Sequence, residues 1–243
     1  MKLKFLTPVV AGMALMVSSL ANIANAGLVD SGSHLLDQSG ASLLESWMGQ
    51  GELDWNSIWY GEAGATASSW HNAVDGQGPT VSIYNVTYNN VDYLIGGYTD
   101  LDWNKSGSYS HDRDGTVDSF IFNLSSAVMH DTSANHFDNE GANIILGYQD
   151  YFATFGGGHD IFGGSFTLGG SGYSNDVGTY NGKLPNSKGN IVTGSTERVS
   201  FTVNALETFS VASVQSPSVP EPSTLAIFAL AMLGLGGRRF IKS

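Results

Sequence analysis

The chain of 243 residues contains no cysteine. This absence excludes disulfide bonds, thiolate nucleophiles and zinc sites with cysteine ligands, so the core and the backbone hydrogen bonds must hold the fold together. Basic residues are also scarce, with 10 Lys and Arg against 22 Asp and Glu. The resulting net charge of −12 would repel nucleic acid and anionic lipid, which argues against both as partners.

Charged residues make up only 13% of the chain, whereas glycine occurs 31 times. A shortage of long charged helix formers, combined with many glycines, favours a mainly β fold of short strands and tight turns. No repeat of solenoid length is present, and long apolar runs are confined to the two ends of the chain. A single domain is therefore predicted between those ends.

Residues 1–26 have the pattern of a secretory signal peptide. Two lysines in the first four residues give a positive start, residues 5–20 are largely apolar, and Ala24 and Ala26 are small residues where signal peptidase recognises them. Cleavage is predicted before Gly27, with signal peptidase as a partner during export. An exported protein does not meet cytosolic cofactors such as NAD or ATP, and no cofactor is predicted.

Residues 219–243 combine three features in order. A proline-rich motif is followed by an apolar stretch over 225–237 and then by a basic end; the motif is Pro220-Glu221-Pro222 and the basic pair is Arg238-Arg239. The apolar stretch is shorter than the roughly 20 residues of a full membrane span. The arrangement resembles the PEP-CTERM sorting signal of Gram-negative bacteria. The resemblance implies exosortase processing, transient anchoring in the inner membrane by a hydrophobic helix, and delivery to the outer membrane, the cell surface or an exopolysaccharide matrix.

Between the two ends the chain keeps five basic and 21 acidic residues, a net charge of −16. Such a surface suits solubility, divalent cations or a cationic partner. The predicted order is a signal peptide at 1–26, a lead segment at 27–40, a domain at 41–211, a linker at 212–218 and the sorting signal at 219–243.

Hydrophobic periodicity predicts two short helices, at 41–48 and 68–75. Glycines follow both helices, and Ser68 or Ser69 is a candidate N-cap for the second. Alternating and apolar runs predict strands at 80–88, 91–98, 118–125, 143–148, 151–155, 161–168 and 198–211. Asn89 and Asn90 separate the first two strands and favour a tight hairpin.

Five segments carry a family resemblance by their joint order: SSWHNAVDGQGPT at 68–80, YLIGGYTDLDW at 93–103, DSFIFNL at 118–124, FGGGHDI at 155–161 and FTVNALETF at 201–209. Over residues 41–211 the sequence resembles the TLDc domain, in the form found in secreted PEP-CTERM proteins. The resemblance implies a β-sandwich of two antiparallel sheets with two or so short helices. We expect the family-motif positions to be structural; they are His71, Asp75, Gly76, Gly78, Pro79, Gly96, Gly97, Tyr98, Trp103, Phe120, Phe122, Gly156, Gly157, Gly158 and Asp160.

The family supplies no established catalytic set. Its eukaryotic members are linked to oxidative-stress resistance and to the V-type proton ATPase, and neither property transfers to a bacterial surface protein. One departure from the family is Val74, which stands where many relatives have cysteine. A small apolar residue can replace a buried cysteine that serves only to pack.

Two histidine–carboxylate pairs could perform acid–base chemistry, namely His71 with Asp75 and His159 with Asp160. The sequence has no Gly-x-Ser-x-Gly elbow and no His-Glu-x-x-His zinc motif to accompany them. We therefore expect both pairs to be structural and the protein to be non-catalytic. A hydrolase of matrix polymers stays open as an alternative.

An acidic loop gives a weak metal candidate, because Asp112, Asp114 and Asp118 surround a glycine. Carboxylates at such a spacing can point at one calcium ion. The loop is not an EF-hand, since Asn123 stands where the bidentate glutamate would be. An ordinary solvated turn is the alternative.

Aromatic residues beside asparagines suggest a carbohydrate platform. The candidates are Trp47, Trp55, Trp59, Trp70, Trp103, Tyr173 and Tyr180. Most of the tryptophans are expected in the core, because tryptophan is highly buried on average. The sequence thus predicts an exported, exosortase-processed surface or matrix protein with a non-catalytic binding or structural domain. A calcium-dependent glycan-binding protein is the other alternative, and exopolysaccharide or another surface component is the candidate partner.

Overall fold

The computed structural model describes residues 28–132, 142–176, 178–181 and 187–214. The predicted signal peptide with its cleavage site, and the predicted sorting signal with its expected hydrophobic helix, lie outside these residues. Two helices and eleven strands form the described part: α1 Gln38–Met48, β1 Leu53–Glu62, α2 Ala67–Val74, β2 Thr80–Tyr88, β3 Val91–Thr99, β4 Ser108–Asp112, β5 Ser119–Asn123, β6 Val128–Asp131, β7 Ala142–Gly147, β8 Thr154–Phe155, β9 Ile161–Phe162, β10 Ser171–Ser174 and β11 Val199–Ser213.

All eleven strands belong to one hydrogen-bonded sheet whose strand pairs are antiparallel. Ten of the strands follow the order β4-β7-β8-β9-β10-β11-β2-β3-β5-β6. The remaining strand, β1, pairs with β11. The 15-residue β11 lies at the centre of the sheet. One of its edges pairs with β2, while the other pairs first with β10 and, further along the strand, with β1. The predicted mainly β, antiparallel fold with two short helices is confirmed. Hydrogen bonds join all eleven strands into one sheet, whereas the family resemblance implied a sandwich of two sheets.

Two apolar clusters cover the two faces of the central strands. The α1 cluster forms around Ala41, Leu44 and Met48 of helix α1 and holds Val81 and Ile83 of β2. The α2 cluster forms around Ala67, Trp70 and Val74 of helix α2 and holds Tyr84 and Val86 of the same strand. Side chains alternate between the faces of a strand, so β2 is buried on both sides. The α2 cluster also receives Phe152 and Phe155 from the far half of the sheet, which places that half against the same core.

Local signals account for the helix ends and the first hairpin. Helix α1 begins after Asp37, whose Oδ1 accepts the N–H of Gly40 at 2.8 Å, and it ends at Gly49 with φ of +65°. Helix α2 is capped by Thr66, and not by Ser68 or Ser69 as predicted. Asn89 and Asn90 both have positive φ, as a tight hairpin requires.

Several strands differ from the sequence prediction. The expected strand at 161–168 ends at Phe162, because Gly164 and Phe166 have positive φ and turn the chain. The expected strand at 151–155 is reduced to β8. Four strands were not predicted, namely β1, β4, β6 and β10.

Candidate functional site: an aromatic patch around His159

The turn between β8 and β9 is built from three consecutive glycines, Gly156 to Gly158. Gly156 and Gly158 have φ of +83° and +79°, a backbone conformation that glycine adopts without strain. A Cβ on Gly156 would also collide with the carboxylate of Asp160. This turn therefore depends on glycine for its shape and for the close approach of Asp160.

Asp160 is fully buried and fastens the turn to a neighbouring segment. Its Oδ2 accepts the N–H of Tyr180 at 3.2 Å, and its Oδ1 accepts the N–H of Asn181 at 3.1 Å. Burial raises the pKa of Asp160 to about 7, although these backbone donors act in the opposite direction. The carboxylate is thus a fixed support that is not exposed to a ligand in solution.

His159 precedes this anchor in a conformation that non-glycine residues seldom adopt, with φ of +62°. A 2.6 Å hydrogen bond joins its Nδ1 to the hydroxyl of Tyr173. Its ring stacks on Phe162 at 5.5 Å between centroids and meets Tyr151 edge-on at 6.1 Å. Burial, and then the guanidinium of Arg198, lower the pKa of His159, so the ring is neutral at pH 7.

His159 is the centre of a continuous aromatic surface. We call this surface the aromatic patch; its members are Tyr109, Tyr148, Tyr151, His159, Phe162, Tyr173 and Arg198. Tyr151 lies 4.9 Å from both Tyr148 and Phe162 between ring centroids. Phe162 and Tyr173 are directly paired across β9 and β10, with their centroids 5.1 Å apart. Each of these rings therefore packs against at least one other ring of the patch, and these contacts fix their positions.

The patch is partly open to solvent and carries one permanent charge. Tyr148 is 41% exposed and Arg198 is exposed, while the other rings are half-buried. The Arg198 guanidinium lies 3.6 Å from the centroid of the Tyr173 ring, a cation–π contact. Such a surface offers ring faces for apolar contacts, with hydroxyl and guanidinium groups as hydrogen-bond donors.

Comparison with known families assigns both parts of the chain. A family model for the TLDc domain matches residues 29–212. The chain belongs to the TLDc domain family. A model for the PEP-CTERM protein-sorting motif matches residues 218–239, which confirms the sorting signal predicted from the sequence. This motif marks the protein for export, for processing by an exosortase and for sorting to the cell surface. No curated protein sequence matches the chain.

His71 and Asp75 form the first of the two predicted histidine–carboxylate pairs in the TLDc domain. The pair lies beside the aromatic patch and contacts the backbone of Tyr148. His71 is buried, with Nδ1 2.6 Å from Asp75 Oδ1 and Nε2 3.0 Å from the carbonyl oxygen of Tyr148. Both ring nitrogens are therefore engaged, and one of them holds the backbone of a patch residue. This geometry favours a structural role over proton transfer to a ligand.

Three predicted platform tryptophans lie in the core of the TLDc domain. Trp55, Trp70 and Trp103 are buried, and each indole N–H donates a hydrogen bond: to Glu45, Thr208 and Thr80, respectively. Trp47 and Trp59 are half-buried against the two clusters. Tyr180 is also buried, with its hydroxyl bonded to Ser119 and to the carbonyl of Ile144, so it does not join Tyr173 in a platform.

The remaining motif positions of the TLDc domain serve turns and close packing. A Cβ on Gly96 would meet the carbonyl of Ser82, and a Cβ on Gly97 would meet the ring of Phe155. Gly78 has positive φ and donates its N–H to Asp102 at 2.7 Å. Tyr98, Phe120 and Phe122 belong to the α1 cluster, Gly76 also has positive φ, and Pro79 is exposed beside this turn.

The acidic loop folds on itself instead of gathering its carboxylates. Asp112 Oδ1 accepts the N–H groups of Asp114, Gly115 and Thr116 at 3.3, 2.8 and 3.2 Å. Asp118 lies beside Asp100, whose Oδ2 accepts its N–H at 3.0 Å. Within the described ranges, no three His, Asp or Glu side chains are grouped so that they could hold a metal ion. Asp112 and Asp114 serve as turn acceptors within the loop, and the described residues give no independent support to the predicted calcium site at Asp112, Asp114 and Asp118.

Sequence reasoning missed most of the patch. It singled out His159 and Tyr173, but not Tyr109, Tyr148, Tyr151, Phe162 or Arg198. Aromatic residues next to predicted turns, as in Tyr148-Gln149-Asp150-Tyr151, are the signal that could have found two of them.

Neither helix of the described residues has the length and hydrophobicity needed to cross a membrane.

Proposed function

We propose that this TLDc protein is a non-catalytic protein of the cell surface or its exopolysaccharide matrix, and that its aromatic patch binds a matrix polysaccharide. The observation that carries the proposal is the patch itself, in which six partly exposed rings from four segments of the chain contact one another. Ring faces stack on the apolar faces of sugars, while tyrosine hydroxyls and Arg198 can bond sugar hydroxyls. The sorting motif marks the protein for the cell surface, and this supports a role in contact with exopolysaccharide.

A binding role is favoured over catalysis by the state of the histidines and carboxylates. The buried Asp160 accepts backbone N–H groups, and both nitrogens of His71 are bonded inside the protein. General acid–base catalysis needs a group within reach of the substrate, and neither residue offers one. His159 is half-buried, but its partner in the patch is a tyrosine hydroxyl and not a carboxylate.

The proposal is tested by affinity electrophoresis in gels that contain polysaccharide purified from the producing cell. The wild-type protein should be retarded. Tyr148→Ala should weaken binding by about two- to tenfold, which corresponds to the loss of one aromatic contact of about 0.5–1.5 kcal/mol.

Val91→Ala is the matched control, because Val91 is an exposed apolar residue on the β2–β3 hairpin outside the patch. Its binding should equal that of the wild type. Retardation that is unchanged by Tyr148→Ala, or a wild-type protein that migrates freely, would show that the patch does not bind the polymer.

A further inference from the structure

A cleft beside residues 202–205 of β11 shares no residue with the aromatic patch. It has a volume of about 480 Å³ and is lined by Tyr60, Glu62, Asn85, Thr202, Val203 and Asn204, among others. Small-molecule sites typically range from about 300 to 1,000 Å³. The cleft is thus large enough for a small polar ligand.

A β-bulge places one of these side chains in the cleft. In the pairing of β11 with β2, Val203 is opposite Val86 and Ala205 is opposite Asn85, so Asn204 is an extra residue. Bulges redirect side chains and occur next to functional sites. The Asn204 amide donates to Asn85 Oδ1 at 2.9 Å and to Thr87 Oγ1 at 2.7 Å.

These bonds leave polar groups unused at the cleft. Asn204 Oδ1 and Asn85 Nδ2 have no hydrogen-bond partner among the described residues, although the side chains that carry them are fixed. One is an acceptor and the other is a donor. A neutral ligand that both donates and accepts hydrogen bonds would satisfy both groups.

Tyr60 supplies an aromatic wall. The His34 ring stacks on the Tyr60 ring, with 3.8 Å between centroids and 9° between planes. The Tyr60 hydroxyl donates a hydrogen bond to Glu62 Oε1 at 2.5 Å. This hydrogen bond to Glu62, together with burial, raises the pKa of Tyr60 to about 12, so the phenol stays neutral. The exposed Glu62 keeps its second carboxylate oxygen as an acceptor at the rim.

Part of the lead segment lines the cleft, and hydrogen bonds to Glu207 fix its backbone before any ligand binds. Glu207 is fully buried, and its Oε2 accepts the N–H groups of His34 and Leu35 at 3.0 and 2.7 Å. Leu35 lines the cleft and His34 supports Tyr60. A ligand would therefore meet a wall that is already ordered, which lowers the entropic cost of binding.

We propose that this cleft is a second carbohydrate site, which binds an uncharged sugar unit. An aromatic wall, a fixed pair of amides, the apolar side chains of Leu35 and Val203 and an acceptor carboxylate match a ring that carries hydroxyls on one side and C–H groups on another. Among the described residues, no basic side chain lines the cleft, and the Glu62 carboxylate repels anions, so the site favours neutral sugars over sugar acids. The site goes beyond the proposed function, because it needs none of the patch residues.

Nuclear magnetic resonance tests this site in the 15N-labelled exported protein. The probes are maltohexaose, cellohexaose and mannohexaose, with hexagalacturonate as the anionic probe and the chitosan hexamer as the cationic probe. At least one neutral hexaose should shift the side-chain amide signals of Asn85 and Asn204. The galacturonate should leave both signals in place.

Tyr60→Ala and Asn204→Ala should each weaken this binding at least tenfold, whereas Tyr60→Phe should retain it because the ring remains. Asn56→Ala is the matched control, since Asn56 has an exposed amide side chain on β1, the strand of Tyr60, but does not line the cleft. Tyr148→Ala should also leave the cleft signals unchanged, which separates this site from the patch.

Three results would overturn the assignment. The first is that the amide signals of Asn85 and Asn204 stay fixed with every neutral hexaose; this test uses only the wild-type protein and does not depend on the folding of a variant. The second is unchanged binding in Tyr60→Ala. The third is a larger shift of the two amides with a charged hexamer than with any neutral hexaose.

Discussion

Replacement of Asp160 by asparagine should remove a pH dependence from the stability of the domain. The Asp160 carboxyl is completely buried, and burial raises its pKa to about 7 from an ordinary value of 3.8. In the folded protein the carboxyl therefore holds a proton over a pH range in which the unfolded chain has lost it. Between pH 4 and pH 7 the folded state binds more protons, so the free energy of unfolding falls as the pH rises.

The size of this effect follows from the two pKa values. Each pH unit between them contributes about 1.4 kcal/mol, so Asp160 stabilises the fold at pH 4 by about 4 kcal/mol more than at pH 8. Asparagine retains the shape and one acceptor oxygen but does not titrate. It should be less stable than the wild type at pH 4–5, by about 1–3 kcal/mol, because one of the N–H groups of Tyr180 and Asn181 loses its acceptor. This deficit should shrink or reverse by pH 8.

Urea unfolding at a series of pH values from 4 to 8, followed by tryptophan fluorescence, measures the difference between wild type and Asp160→Asn. The three buried tryptophans give a signal that depends on the core. Asp54→Asn, at an exposed position on β1, controls for the general effect of removing one negative charge. A difference between wild type and Asp160→Asn that stays constant from pH 4 to pH 8 would refute the burial argument.

Three other predictions concern the supports of the fold and the sorting signal. Gly76→Val should lower the free energy of unfolding by about 1–3 kcal/mol in thermal melts, because Gly76 has φ of +72°, while Gly76→Asn should be tolerated better. Glu207→Ala should cost about 3 kcal/mol or more, since the backbone N–H groups of the lead segment lose a buried acceptor; an unchanged melting temperature would contradict this. Replacement of Pro220-Glu221-Pro222 by alanines should leave the tail uncleaved, and mass spectrometry of wild-type surface protein that still ends at Ser243 would disprove the processing.

The parts of the fold that the sequence predicted are those with local causes. The β2–β3 hairpin follows from alternating apolar residues on either side of Asn89 and Asn90, and α1 follows from its apolar stripe and Gly49. Strand β1 was missed because a bulge between Ser57 and Trp59 shifts its register, which interrupts the alternation. Strands β4 and β10 are short and mostly polar or glycine-rich, so their pairing partners define them.

The candidate site was less predictable because its members are distant in the sequence. Tyr109 on β4 contacts His159, and Arg198 just before β11 contacts Tyr173, only because the pairing of the sheet brings these segments together. No local spacing marks such a surface. The same pairing explains the difference between Tyr173 and Tyr180, since Tyr173 lies on β10 within the patch while Tyr180 is buried against Ser119.

Isothermal titration calorimetry measures whether the aromatic patch binds matrix polysaccharide. Polysaccharide purified from the producing cell is titrated into the wild-type protein and into a Tyr148→Ala, Tyr151→Ala double variant. We expect saturable heat of binding for the wild type and at least tenfold lower affinity for the double variant, whose cooperative thermal transition shows that it is folded. Equal affinity of the two folded proteins, or no binding by the wild type, would contradict binding by the patch.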